Sequence, residues 1–151
     1  MTAQLINVKQ QFKPHYSKKV LLVEDNDANR MLLSDCFNFC GYQVKALPNG
    51  SKFFSTVETF RPNLVVLDLK LPDIDGFLLL EKMQHNSRTA KIPIIIVSGL
   101  AFKSDCERAM DLGARRYFVK PVILTELTQA IEKELSCNQK EVFKNKTDFH
   151  R

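Results

Sequence analysis

The sequence predicts an α/β protein built on a doubly wound sheet of five parallel strands. Five short apolar runs alternate with segments whose apolar residues recur at helical spacing, as in βαβ units joined by right-handed crossovers. The three clearest runs, at 20–23, 64–67 and 92–97, are aliphatic on both faces of the pleat, as strands covered on both sides require. A chain of 151 residues suits one such domain.

The first half of the chain supplies two strand–helix repeats. Residues 20–23 are the predicted first strand, and the helix after it has Asp27 as its N-cap and Gly41 as its stop. Residues 42–47 are the predicted second strand, and residues 51–60 the second helix. The predicted apolar stripes of these helices are Met31, Leu32, Cys36, Phe39 and Cys40 in the first, and Phe53, Phe54, Val57 and Phe60 in the second.

The second half of the chain supplies three more repeats. Pro62 ends the second helix, and Gly113 ends the fourth. The remaining strands are predicted at 64–67, 92–97 and 117–119, and the remaining helices at 77–83, 104–112 and 124–135.

The basic residues of the chain concentrate at its two ends. The net charge is +5, yet residues 20–135 carry a net charge of −1, and residues 1–19 hold four lysines and no acid. This distribution predicts a flexible basic extension at 1–18, a folded domain at 19–136 and a polar tail at 137–151, and it argues against nucleic acid as a partner. Neither a membrane-length apolar run nor a signal-peptide core is present, so we expect a cytoplasmic protein without membrane contact.

Polar side chains follow the predicted strands at the points where the strands end. In the segment "VVLDLKLPDIDG" a buried run stops at the carboxylate of Asp68; the first strand ends in Glu24 and Asp25, the fourth in Ser98 and the fifth in Lys120. Because ligands of open α/β sheets bind beyond the carboxyl ends of the strands, we expect these residues at one edge. Crowded carboxylates repel one another, and Mg²⁺ is the cation that suits such hard oxygen ligands.

The same residues fit chemistry on a phosphoryl group. Lys120 adds a positive charge and Ser98 a hydroxyl donor, both suited to a small, highly charged anion. Asp68 can then act as a nucleophile whose carboxylate forms an acyl phosphate.

Four segments resemble the receiver domain of two-component response regulators. They are "LLVEDN", "VVLDLKLPDIDG", "IPIIIVSG" and "YFVKP", in this order, and the resemblance covers roughly residues 19–135. It implies a flavodoxin-like three-layer sandwich with five helices and strand order 2-1-3-4-5. It also implies a signalling phosphoacceptor rather than an enzyme, a histidine kinase or histidine phosphotransfer protein as donor, and a downstream protein that the sequence does not identify.

The resemblance assigns a role to each acidic residue of the site. Asp68 is the implied phosphoacceptor. Asp25 is an implied direct ligand of Mg²⁺, and Glu24 is a ligand through water. Asp68 and the backbone carbonyl of Lys70 complete the implied metal site, and no other cofactor is implied.

The resemblance also implies a conformational switch. Ser98 would hydrogen-bond the bound phosphoryl group and Lys120 would pair with it, while Tyr117 is the implied switch aromatic. As Ser98 moves toward the phosphoryl group, Tyr117 would turn inward and remodel the surface of the fourth and fifth helices and the fifth strand. The peptide bond between Lys120 and Pro121 is expected to be cis.

Two departures from the family pattern lead to expectations of their own. Lys70 places a cation near the entry path of attacking water, so we expect it to slow loss of the phosphoryl group. Arg115 and Arg116 stand where many receivers of transcription factors have two aspartates of a dimer interface, which argues against that particular dimer. A phosphorylation-dependent homodimer of another kind stays open.

Other functions are compatible with parts of this pattern. The chain could be a phosphorelay intermediate or a phosphate sink without its own output. A phosphatase of the haloacid dehalogenase type needs a second acid two residues after its nucleophile, where Lys70 stands. A flavodoxin-type flavin site needs a phosphate-cradling loop after the first strand, where "EDNDANR" is acidic.

Several other polar residues are interpreted as structural or solvated. Asp73 and Asp75 are predicted to be turn acids, and Cys36 and Cys40 to be small packed side chains rather than metal ligands. The histidines are expected to be solvated; they are His15, His85 and His150.

Overall fold

The computed structural model describes residues 18–147, with side chains described for residues 18–136. The strands are β1 (Lys19–Val23), β2 (Gln43–Leu47), β3 (Leu64–Leu67), β4 (Ile94–Ser98) and β5 (Arg116–Val119). The helices are α1 (Asp27–Phe39), α2 (Phe53–Phe60), α3 (Gly76–His85), α4 (Lys103–Asp111) and α5 (Leu124–Thr147). The strands pair in parallel in the order β2-β1-β3-β4-β5, which confirms the predicted fold and strand order.

Two hydrophobic clusters cover the two faces of the sheet. Successive residues of β1 alternate between them: Leu21 and Val23 pack beneath α2, α3 and α4, whereas Val20 and Leu22 pack beneath α1 and α5. All four side chains are buried. Burial on both faces explains why the strand reads as an unbroken aliphatic run, and it gives the three layers of the sandwich.

The N-cap of α1 is Asn26. Its side chain accepts a hydrogen bond from the backbone N–H of Asn29 at 2.9 Å. The prediction of Asp27 as the cap is therefore wrong, and Asp27 instead lies in the first turn, where a carboxylate is favoured by the helix dipole. Gly41 follows the end of the helix as predicted, with a φ of 92° in the left-handed region that favours glycine.

The buried face of α1 differs from the predicted stripe. Leu33 and Phe37 face the sheet, with the buried Cys40 just beyond the helix. Three predicted core positions are instead exposed: Met31, Leu32 and Phe39. Two overlapping sets of apolar residues in this helix have helical spacing, and packing against the sheet selects between them.

Most element boundaries lie within one or two residues of their predicted positions, and the end of α5 differs by more. β4 begins after Pro93 and includes Ser98 as its last residue. α5 runs past Leu135 to Thr147, because no glycine or proline supplies a stop in between. Within the described part of the chain, no helix combines the length and the apolar character that a membrane span needs.

The predicted domain boundaries remain predictions. The extension at 1–18 lies outside the described residues except for Lys18, and the tail at 137–151 is described only as the backbone of α5 up to Thr147.

Candidate functional site

Three carboxylates meet at the carboxyl edge of the sheet. Glu24 and Asp25 follow β1, Asp68 follows β3, and one ligand atom from each carboxylate lies within 4.8 Å of the other two. The two strands are neighbours, and the backbone N–H of Asp68 donates to the Val23 carbonyl at 3.0 Å. Parallel pairing in this register therefore brings the acids together, as the alternation of elements predicts.

Lys120 joins this cluster from β5. Its Nζ donates to Oδ2 of Asp68 at 2.7 Å and to both carboxylate oxygens of Glu24 at 2.9 Å. Its backbone N–H donates to the Ser98 carbonyl at 2.9 Å, which ties the end of β5 to the end of β4. The Lys120–Pro121 peptide bond is cis, as the resemblance implies.

Burial sets the protonation equilibria of the cluster. Glu24 and Asp68 are only 1% and 4% exposed. Burial raises the pKa of Glu24, and the neighbouring Asp68 acts in the same direction against the hydrogen bond from Lys120. Burial opposes the charged form of Lys120, but its hydrogen bonds to Asp68 and Glu24 outweigh burial and raise the pKa of the ammonium. The Lys120 ammonium therefore stays charged beside the two buried carboxylates of Glu24 and Asp68.

The donor set fits a magnesium ion. All three side chains offer carboxylate oxygens, the ligand type that Mg²⁺ prefers. Asp25 is exposed, so the cluster is open to solvent on one side, and Mg²⁺ keeps several of its waters when it binds to protein. The described contacts of Lys70 are its N–H, which donates to Oδ1 of Asp68 at 3.0 Å, and a bridge to Asp75; its carbonyl remains a predicted ligand.

Ser98 and Tyr117 hold the loop that follows β4. Ser98 is fully buried, and its Oγ accepts a hydrogen bond from the Leu100 N–H at 3.3 Å. The Tyr117 hydroxyl donates to the Leu100 carbonyl at 2.7 Å. Burial is the main cause that raises the pKa of Tyr117. Ser98 and Tyr117, the two residues that the resemblance implies for a switch, therefore both hydrogen-bond the backbone of Leu100.

Two residues of the site were not predicted from the sequence. The Arg30 guanidinium donates to the Glu24 carbonyl at 3.0 Å and to the Asp25 carbonyl at 3.3 Å, and it pairs with the Asp27 carboxylate. The Asn29 amide makes a longer contact of 3.5 Å with the Glu24 carboxylate. Their only signal in the sequence is their position in the first helical turn after the acidic pair.

The acids predicted to be structural lie outside the cluster. Asp75 is the N-cap of α3 and accepts from the Phe77 N–H at 3.0 Å. Asp73 accepts from the Gly50 N–H at 3.0 Å and so joins two loops at this edge. Both therefore have structural roles, although Asp75 caps a helix and Asp73 contacts a distant loop, where the sequence indicated two turn acids.

Histidine and cysteine residues do not contribute to the cluster within the described residues. His85 is exposed on α3, whereas His15 and His150 lie outside the described part. Burial raises the pKa of Cys40 to about 11, which disfavours the thiolate that a soft metal needs. Among the described residues, the three carboxylates are the one group of three or more such side chains that could hold a metal ion.

Comparisons with known proteins agree with this geometry. Residues 20–132 match the family described as the response regulator receiver domain. The chain is 34% identical over 119 residues to sporulation initiation phosphotransferase F of Bacillus subtilis, across 79% of this chain and 94% of the relative. It is also similar to the crystal structure of a response regulator receiver domain protein from Methanospirillum hungatei JF-1, with a TM-score of 0.76, 30% identity and coverage of 82% and 98% of the two chains.

A second similar structure holds a metal. It is the receiver domain of a sensor histidine kinase from Pseudomonas aeruginosa PAO1, which has a magnesium ion coordinated in its active site cleft. The TM-score is 0.72, the identity 25%, and the match covers 79% of this chain and 98% of that one.

Proposed function

The chain belongs to the response regulator receiver domain family, and on that premise we propose that Asp68 accepts a phosphoryl group from a phosphohistidine in a Mg²⁺-dependent reaction. The observation that carries the proposal is the environment of Asp68. Its buried carboxylate stands at a strand end, 2.7 Å from a lysine ammonium and within 4.8 Å of two further carboxylates. The carboxylates repel a negatively charged phosphoryl group, so this group can bind beside Asp68 only if cations offset the repulsion. Lys120 supplies one positive charge, and Mg²⁺ would supply the others.

The proposed reaction is an in-line transfer. A carboxylate oxygen of Asp68 forms the new P–O bond as the P–N bond to the donor imidazole breaks, and the electron pair of that bond returns to the histidine nitrogen. The product is an aspartyl phosphate. Mg²⁺ held by Asp25, Asp68 and the Lys70 carbonyl, and by Glu24 through water, would neutralise the negative charge that gathers there.

Lys120 and Ser98 are proposed to stabilise the transferred group. Lys120 can donate from Nζ to a phosphoryl oxygen, since it already reaches the Asp68 carboxylate. The Ser98 hydroxyl can donate to another oxygen. A movement of Ser98 would alter the loop that Tyr117 also contacts through Leu100, which supports the proposed switch.

A groove beside Lys120 is the surface we propose for the phosphodonor protein. It has a volume of about 390 Å³ and runs between α1 and the loop after β5. Its wall includes Leu32, Val97, Lys120 and Pro121, and Leu32 is exposed. A donor histidine must come within bonding distance of Asp68, so its protein has to cover this adjacent surface. We therefore propose a histidine kinase or a histidine phosphotransfer protein as its occupant.

Labelling with a small donor tests the chemistry. We expect acetyl phosphate and Mg²⁺ to add one base-labile phosphoryl group to the wild-type chain, and EDTA to prevent the addition. Asp68→Asn should remain unlabelled in intact-mass spectra. Asp73→Asn is the matched control, because it changes a neighbouring acid outside the cluster and should be labelled like the wild type. Labelling of Asp68→Asn would refute the proposal.

Comparison of two donors tests the groove. Leu32→Asp should slow transfer from a phosphorylated histidine phosphotransfer protein by about tenfold or more, which corresponds to about 1.4 kcal/mol of binding free energy. Its labelling by acetyl phosphate should be unchanged. Leu78→Asp is the matched control, since Leu78 is an exposed leucine on α3. Equal transfer rates for wild type and Leu32→Asp would exclude the groove as the docking surface.

A relay role is the second candidate. The observation that favours it is the similarity to a relative whose name describes a phosphotransferase. In this case the phosphorylated chain would return its phosphoryl group to a histidine of a second protein. Transfer from isolated phosphorylated chain to a histidine phosphotransfer protein, followed by radiolabel, distinguishes a relay intermediate from a receiver that only docks to a downstream partner.

Location and self-association are further parts of the proposal. We propose a cytoplasmic receiver, and we retain a homodimer formed on phosphorylation as a prediction. Arg116 is engaged with Glu134 of α5 at 3.1 Å, so the interface made by paired aspartates in other receivers would have to differ here. Sedimentation of the labelled and unlabelled chain measures this association.

A further inference from the structure

Arg30 contacts both the turn that carries the acidic pair and the first residue of α1. The Val23 carbonyl accepts from the Asp68 N–H just after β3, and the next two carbonyls, those of Glu24 and Asp25, both accept from the Arg30 guanidinium. Arg30 is only 22% exposed although it carries a full charge, and its second contact group is the Asp27 carboxylate, which is 91% exposed. The fixed fork of a guanidinium allows one side chain to hold both carbonyls and a carboxylate at once.

The positive charge of Arg30 is unfavourable for metal binding at this site. A permanent cation beside a cation-binding cluster repels the incoming ion, so on charge alone Arg30 would weaken metal binding. The same side chain also fixes the path of the backbone between β1 and α1, and that path determines where the Asp25 carboxylate lies. The two effects have opposite signs, which makes them separable by experiment.

We propose that Arg30 is a positioning residue of the metal site, and that Asp27 offsets the charge Arg30 brings. Arg30 holds the Glu24 and Asp25 carbonyls so that the Asp25 carboxylate remains within reach of Asp68. The inference deepens the proposed function and rests on it, since it concerns the affinity for Mg²⁺ at that site. Residues that orient metal ligands typically contribute 10- to 100-fold to metal affinity.

Magnesium titration without any phosphodonor tests the inference. The probe is MgCl₂ alone, followed by amide chemical shifts of residues 24–26 and by isothermal calorimetry. We expect Arg30→Met, which keeps the length and the apolar stem, to raise the dissociation constant for Mg²⁺ by about tenfold. Arg30→Lys keeps the charge but not the forked guanidinium, so its dissociation constant for Mg²⁺ should lie between those of Arg30→Met and the wild type.

Two further variants separate position from charge. Arg115→Met removes the exposed arginine just before β5, at the amino end of the strand, and should leave Mg²⁺ affinity unchanged. Asp27→Asn leaves the Arg30 charge without its partner, so it should weaken Mg²⁺ binding, and this effect should shrink at high salt. The effect of Arg30→Met should persist at high salt.

The outcomes distinguish the inference from the function beneath it. Equal or tighter Mg²⁺ binding by Arg30→Met would overturn the positioning role, as would an equal loss in Arg115→Met. Circular dichroism checks that each variant is folded. If Arg30→Met does not fold, the Mg²⁺ affinity of Arg30→Lys tests the inference in its place. Absence of Mg²⁺ binding by the wild-type chain would instead refute the proposed function.

Discussion

Removal of the Lys120 charge is the perturbation whose effect the structure defines best. The change Lys120→Met keeps most of the side-chain volume and deletes the ammonium that is hydrogen-bonded to Glu24 and Asp68. Two buried carboxylates then face each other without a cation. The folded state should lose stability, because the unfolded chain exposes both acids to water.

The size of this stability loss depends on how deeply Lys120 and its carboxylate partners are buried. Removing one partner of a buried ion pair costs about 3–5 kcal/mol. Lys120 is 23% exposed, so water screens part of the interaction, and we expect a loss of about 2–3 kcal/mol at neutral pH. For a domain of this size, that loss lowers the melting temperature by roughly 10 °C.

The pH dependence of this loss has a defined sign. A carboxyl group whose pKa is raised by folding binds its proton more tightly in the folded state, and burial already raises the pKa of Glu24 in the wild type. Without Lys120 the pKa should rise further. The destabilisation should therefore be smallest in acid, where Glu24 is protonated, and should grow as the pH rises through the raised pKa of Glu24.

Urea unfolding in EDTA, followed by circular dichroism, measures the loss. Lys45→Met is the matched control, because Lys45 is exposed on the edge strand β2 and its loss should change stability by about 0.5 kcal/mol or less. Addition of Glu24→Gln to Lys120→Met should restore about 1 kcal/mol, because it removes one of the two facing charges. A Lys120→Met chain as stable as the wild type at every pH, or one further destabilised by Glu24→Gln, would refute this account of the site.

Three further changes have expected outcomes. Gly76→Ala should destabilise the fold by about 2–3 kcal/mol in urea unfolding, because its Cβ would lie 2.4 Å from the Leu69 Cα, whereas Gly99→Ala meets open space and should be neutral. Asn26→Ala should cost about 1 kcal/mol in the same assay through loss of the helix cap, and an unchanged midpoint would contradict that role. Lys70→Ala should shorten the lifetime of the phosphorylated chain, measured by decay of the labelled mass, because Lys70 is expected to obstruct the attacking water. An unchanged lifetime would contradict that expectation.

The sheet could be predicted because its strands carry their environment in their composition. A strand buried on both faces is aliphatic along its buried run, and Leu64–Leu67 and the first four residues of Ile94–Ser98 are the clearest examples. The chain then has to reach the same edge again for each parallel strand, so a helix separates every pair. That geometry also places the strand-end residues Glu24, Asp68 and Lys120 at one edge before any contact is known.

The face of a helix could not be predicted in the same way. In α1 the exposed Leu32 and the buried Leu33 are adjacent and chemically identical. Helical periodicity finds both, because each has apolar partners three or four residues away. Only the position of the helix on the sheet determines which of them loses its contact with water.

The sequence by itself determined the order of the elements, the sheet and the edge at which the acids gather, because these follow from local composition and from the rules of chain connection. The tertiary structure alone decided the partners within the site. The ammonium of Lys120 reaches Glu24 across 96 positions of sequence, and Arg30 holds two carbonyls of a turn whose path depends on the packing of α1. Hydrogen bonds depend on distances of a few tenths of an ångström, and such distances are fixed only when the layers are packed together.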